Sequence, residues 1–96
     1  MTAYVIFIRD SIKDPEEMAT YGKKAAGARG DHPITPLAFY GAVETLEGPT
    51  VDGVVLLSFP DAAAAHAWYD SPAYQDALRH RLKGADYRVC IVEGLG

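Results

Sequence analysis

Two segments of this chain are apolar on both sides of a strand, and this limits the folds open to it more than any other feature. Ala3 to Arg9 (AYVIFIR) puts Tyr4, Ile6 and Ile8 on one face and Ala3, Val5 and Phe7 on the other, because successive strand side chains point to opposite faces. Gly53 to Phe59 (GVVLLSF) has the same character through its Val-Val-Leu-Leu run. β-Branched and aromatic residues favour strands, and strands apolar on both faces are covered on both. A layer that covers one face therefore leaves a second face to be covered by something else.

The remaining elements follow from local chemistry. In Asp14-Pro15-Glu16-Glu17, Asp14 suits an N-cap, Pro15 the first helical position, and the acids the positive end of the helix dipole. Glu17 has the capping-box spacing. The helix runs through Met18, Tyr21, Ala25 and Ala26 to glycines between Gly27 and Gly30. Asp31 to Pro36, with two prolines, reads as a loop. Leu37 to Glu44 (LAFYGAVE) reads as the second strand, and Leu46 to Thr50 as a turn. Pro60 ends the Gly53–Phe59 strand. Asp61 then caps an alanine-rich helix over Ala62 to Tyr69. Ser71-Pro72 starts a third helix with the stripe Tyr74, Leu78, Arg81 and Leu82, ending at Gly84. Tyr87 to Glu93 is the fourth strand.

The order β-α-β-β-α(α)-β is the split βαβ, ferredoxin-like pattern: α+β, with a four-stranded antiparallel sheet and the helices on one face. At 96 residues the chain is expected to form one domain, 1–96. The helices supply only one of the two covers that the first and third strands require. An apolar sheet face left in water exceeds the patches that soluble monomers carry, and packing two sheets face to face in a homodimer removes it.

Charge narrows the partners. The formal net charge is -4, and the nine basic residues are scattered. Nucleic acid and anionic membrane surfaces are therefore not expected partners. No apolar run approaches the roughly 18 residues of a membrane span. The N-terminus lacks a signal-peptide pattern, and one cysteine cannot form an internal disulfide, so a cytoplasmic setting is expected. That cysteine, Cys90, lies between Val89 and Ile91 and is expected to be shielded and inert.

Arg81 is the foremost candidate ligand-binding residue. It shares a helix face with Tyr74 and Leu78, and a guanidinium on a partly apolar stripe needs a partner. Two partners fit: a protein carboxylate, or an anionic ligand gripped by its planar fork. Trp68 and Tyr69 flank the region, Trp68 as a core anchor or pocket wall and Tyr69 and Tyr74 as hydroxyl donors. Tyr40 and Arg9 are placed to face the same space. His66 is a weak candidate general base, two residues before Trp68 and off its side of the helix. His32, His66 and His80 match no metal spacing, and the chain has no HExxH, CxxC, GxGxxG or P-loop. Neither a metal nor a cofactor is expected.

The stretch Phe59-Pro60-Asp61 to Ala65, followed by Ala67-Trp68-Tyr69-Asp70-Ser71-Pro72-Ala73-Tyr74-Gln75, resembles the signature of the bacterial domain-of-unknown-function family numbered 1330. Arg88 to Gly94 (RVCIVEG) is similar to its last strand. The likeness extends over essentially the whole chain, and W-Y-x-S-P-x-Y-Q is its most specific part. The resemblance implies membership of the dimeric α+β barrel superfamily, with two sheets forming a barrel-like core. It implies no particular activity. The superfamily includes cofactor-free monooxygenases, haem-degrading enzymes, chlorite dismutases and muconolactone isomerases, but fold kinship does not transfer chemistry. The expected function is binding of a small anionic or aromatic metabolite between sheet and helices. The alternatives are a cofactor-independent enzyme of monooxygenase or isomerase type, and a structural dimeric accessory protein.

Overall fold

The computed structural model describes residues Met1–Gly96. The elements are β1 (Ala3–Ile12), α1 (Pro15–Ala28), β2 (Thr35–Phe39), β3 (Gly53–Phe59), α2 (Ala62–Tyr69), α3 (Pro72–Gly84) and β4 (Ala85–Glu93). All strand pairs are antiparallel, in the order β2-β3-β1-β4, which is the ferredoxin-like arrangement. The two strands apolar on both faces, β1 and β3, are the central ones.

Register fixes which side chains meet the helices. Val5 pairs with Leu57 and Phe7 with Val55, and these four are buried with Ala3 and Phe59 under the helices. Trp68 of α2 closes this core, with ring centroids 4.3 Å from Tyr74 and 5.6 Å from Phe59. The alternate residues Tyr4, Ile6, Ile8, Val54 and Leu56 form the opposite face, where they stay half-exposed. Cys90 lies on that face beside Ile6 and is exposed, contrary to the expected shielding. The alternation along β4 turns Val89 and Ile91 toward the core and Cys90 away from it.

The helix starts are as the sequence predicts. The Asp14 carboxylate accepts from the Glu16 and Glu17 amides, Asp61 from Ala64, and the Ser71 hydroxyl from Tyr74. Glu17, however, does not turn back to close a capping box. Its carboxylate lies 2.6 Å from His80 Nδ1 and links α1 to α3, as does Lys24 with Asp76 at 2.6 Å. Gly84 permits the close crossing at the end of α3, since a Cβ there would lie 2.9 Å from Met18 Cγ. The buried stripe of α3 is Tyr74, Ala77, Arg81 and Gly84. Leu82, expected on that stripe, is 62% exposed because it falls one residue beyond the contact face.

β2 differs from the expected Leu37–Glu44. It starts earlier, at Thr35, because an edge strand tolerates Pro36 where an inner strand does not. The register slips between Pro36 and Ala38, and the strand stops at Phe39. Tyr40 then takes a positive φ of 54° and turns the chain out of the sheet. No helix of the chain is long and apolar enough to cross a membrane.

Candidate functional site

α1 makes its main contacts with α3 rather than with the sheet. Its sheet-side residues Gly22, Ala25 and Ala26 are too small to fill the space beneath it. The result is a cavity of about 590 Å³ between α1 and strands β1, β3 and β2. Phe7, Val55 and Leu57 form its sheet wall, and Met18 and Tyr21 line it from α1. Trp68 also lines it, while Phe39 and Tyr40 border it at the end of β2. The charged residues on the wall are Arg9 and Arg29, and no carboxylate is among them.

Arg9 reaches the cavity because strand alternation puts it on the side of Val5 and Phe7. Its guanidinium lies 4.6 Å above the Tyr40 ring, and Nε donates to Asp52 Oδ2 at 2.6 Å. Burial opposes the charge on Arg9, but hydrogen bonds to Asp52 and Tyr87 outweigh it and hold its pKa above the ordinary arginine value. Gly53 seats this group. A Cβ there would lie 2.9 Å from Tyr40 Cδ1 and 3.1 Å from Arg9 Nη2. The Tyr40 and Tyr87 hydroxyls are 2.5 Å apart. Burial, and then the bond to Tyr87, pushes the Tyr40 phenol up. The left-handed backbone of Tyr40 costs about 1–3 kcal/mol in a residue with a side chain, and here it places the ring under Arg9.

Behind the wall lies a second polar group. The Tyr21 hydroxyl is 2.7 Å from that of Tyr74, which is fully buried. Burial raises both phenols. For Tyr74 the hydrogen bond to Tyr21 and the charge of Arg81 act in the opposite direction. Arg81 is only 4% exposed, and none of the ion pairs of the chain includes it. Its Nε has no hydrogen-bond partner. The guanidinium instead lies 4.8 Å from the Tyr87 ring centroid, 5.7 Å from Phe7 and 6.0 Å from Tyr21. Of the two partners the sequence allows for Arg81, a protein carboxylate is thus not the one in place.

The expected site residues are therefore distributed in depth. Trp68 lines the cavity, as do Arg9 and Tyr40. Tyr74 and Arg81 stand one layer back, touching the cavity's own side chains Tyr21 and Phe7. Tyr69 packs 5.2 Å from Tyr74 and does not line the space. His66 is on the outer side of α2, exposed, with Nδ1 3.9 Å from Asp70. No three His, Cys, Asp or Glu side chains are gathered as for a metal ion. Sequence reasoning missed Tyr21, Arg29 and the Asp52–Gly53 seat. The available signal was the face of α1, where one tyrosine stands among glycine and alanine.

Comparison with known proteins gives a family and a fold. The profile of the family described as "Domain of unknown function (DUF1330)" matches residues 2–95. No curated protein matches significantly. Among solved structures, a protein of unknown function from Rhodopseudomonas palustris is 20% identical, with TM-score 0.74 over 99% of this chain and 83% of that one. A protein described as dimeric and ferredoxin-like, from Thermobifida fusca, is 15% identical, with TM-score 0.66 over 97% and 92%. SnoaB, a cofactor-independent oxygenase from Streptomyces nogalater, is 10% identical, with TM-score 0.62 over 99% and 93%. At these identities the likeness is one of fold.

Proposed function

The chain belongs to the DUF1330 family, and we propose that it works as a homodimeric small-molecule binding protein whose ligand is an aromatic or apolar acid held between α1 and the sheet. The observation that carries this reading is the cavity itself: about 590 Å³, with a mostly apolar and aromatic wall, two arginines and no carboxylate. Ligand sites fall in this size range and combine apolar walls with a few placed polar groups. Arg9 is held by Asp52 and Tyr40 in one orientation, so its guanidinium loses little freedom on meeting an anion. The apolar outer sheet face and the dimeric description of the T. fusca neighbour support the homodimer. A cytoplasmic setting fits the single cysteine. Catalysis has weaker support: likeness to SnoaB concerns the fold, and His66, the weak candidate base, lies outside the cavity.

The test is calorimetric titration with small aromatic acids, benzoate and indole-3-acetate among them, beside their neutral amides. Acids should bind and amides should bind more weakly. Arg9→Gln should weaken acid binding by about 10- to 100-fold, the worth of one charged hydrogen bond. A Cβ at Gly22 meets nothing within 4 Å, so Gly22→Leu should fold and fill the space. Acid binding that survives Gly22→Leu unchanged, or a wild-type protein that binds no acid, would refute the reading.

A further inference from the structure

A buried guanidinium without a carboxylate is expensive to keep, and Arg81 is one. It is shut away from solvent, in no ion pair, with a free Nε, and it lies against the rings of Phe7 and Tyr21 that line the cavity. Between it and the cavity stand two hydroxyls, Tyr74 and Tyr21, 2.7 Å apart. Two hydroxyls bonded to each other use one proton between them and leave the other to donate elsewhere. The charge of Arg81 acts on both phenol oxygens, and on Tyr74 also through a hydrogen bond. Either hydroxyl can donate in this pair; because Tyr74 alone is also hydrogen-bonded by Arg81, the arrangement in which Tyr74 gives its proton to Tyr21 is favoured, and it leaves the Tyr21 O–H free. That donor belongs to a residue of the cavity wall.

Resting on the reading of the cavity as a ligand site, we infer that its inner end receives the single oxyanion of a phenol- or enol-type ligand, with Tyr21 as donor and Arg81, through Tyr74, as the positioning charge. Arg9 presents a fork suited to the two oxygens of a carboxylate. Tyr21 presents one donor, backed by a cation that does not touch the ligand. In an apolar interior a net countercharge favours the ionised form of a weak acid over its neutral form. The other charged and titratable groups around this end are Arg9 on β1 with its partner Asp52, Tyr40 after β2 and Tyr87 on β4. Arg29 of the α1 C-cap and Tyr69 of α2, which packs 5.2 Å from Tyr74, are the others. Asp52 is the single carboxylate among them, and it is engaged by Arg9.

The probe is 4-nitrophenol, whose anion alone is yellow. It is titrated with the full-length protein about one pH unit below the probe's own pKa, where about one-tenth of free probe is ionised. With wild-type protein more than half of the bound probe should be ionised. Tyr21→Phe, which keeps the ring, and Arg81→Met should each return the bound fraction toward that of free probe. His66→Ala, outside the cavity, should behave as wild type. Should Arg81→Met fail to fold, Tyr21→Phe decides alone. Probe bound in its neutral form, or ionised equally in Tyr21→Phe, overturns the inference while benzoate binding leaves the site itself standing. If neither 4-nitrophenol nor benzoate binds, both fall together.

Discussion

Arg81 is the one charged side chain buried in the core, on the inner face of α3. The spacing of Tyr74, Leu78 and Arg81 puts them on one helix face, and Arg81 is indeed buried there. Its surroundings depend on Phe7, Tyr21 and Tyr87, from three other elements, and no spacing within α3 encodes them. The absence of a carboxylate partner has a stability consequence. Removing one member of a buried ion pair leaves its partner orphaned and costs about 3–5 kcal/mol, whereas replacing buried charges by packed apolar side chains with no charge left orphaned, as measured for whole ion pairs, is often neutral or stabilising by about 1–4 kcal/mol. Arg81→Met orphans no carboxylate. It should therefore raise unfolding stability by about 1–4 kcal/mol in urea titrations, less what the ring contacts contribute. A fall of several kcal/mol would mean that the guanidinium has a structural partner after all.

Among the elements, the helix starts were legible because capping is local: Asp14, Asp61 and Ser71 each serve amides two or three residues away. Asp61→Ala should cost about 1 kcal/mol of stability through the lost cap, read by thermal or urea melts. β2 was less legible. Its early start depends on Pro36 falling at a sheet edge, and its end depends on Tyr40 adopting a conformation that tyrosine rarely takes. Both are set by neighbours distant in the chain. The cavity was hidden for the same reason, since it arises from how α1 is drawn to α3. One of those links is acid-sensitive. Hydrogen bonds from Lys24 and Arg79 hold the exposed Asp76 carboxyl down to about 2, against 3.8 ordinarily. A depressed carboxylate contributes stability above its unfolded pKa and loses it as pH falls through the folded one. The urea midpoint of the wild type should thus fall between about pH 4 and pH 2 more steeply than that of Asp76→Asn. Parallel profiles would show that the link adds nothing.

The assembly of the whole molecule rests on the sheet face that no helix covers. Ile6 stands near its centre, beside Leu56 and Cys90. Sedimentation equilibrium should give twice the 10.4 kDa chain mass, and Ile6→Lys should give a single chain. Cys90, exposed on that face in one chain, should react slowly with a thiol reagent in the wild type and rapidly in Ile6→Lys. A monomeric wild type would remove the dimer, and equally fast labelling of both would place the interface elsewhere. The open face could be read from the doubly apolar strands, because alternation alone reveals it. The cavity lies between α1 and the sheet, on the side of the sheet away from the proposed partner. Two such cavities in a dimer would be separated by both sheets, roughly 10 Å apart backbone to backbone, and would share no residue. Occupying one should leave the affinity of the other unchanged, giving one ligand per chain, a Hill coefficient near unity and a saturation curve without a threshold.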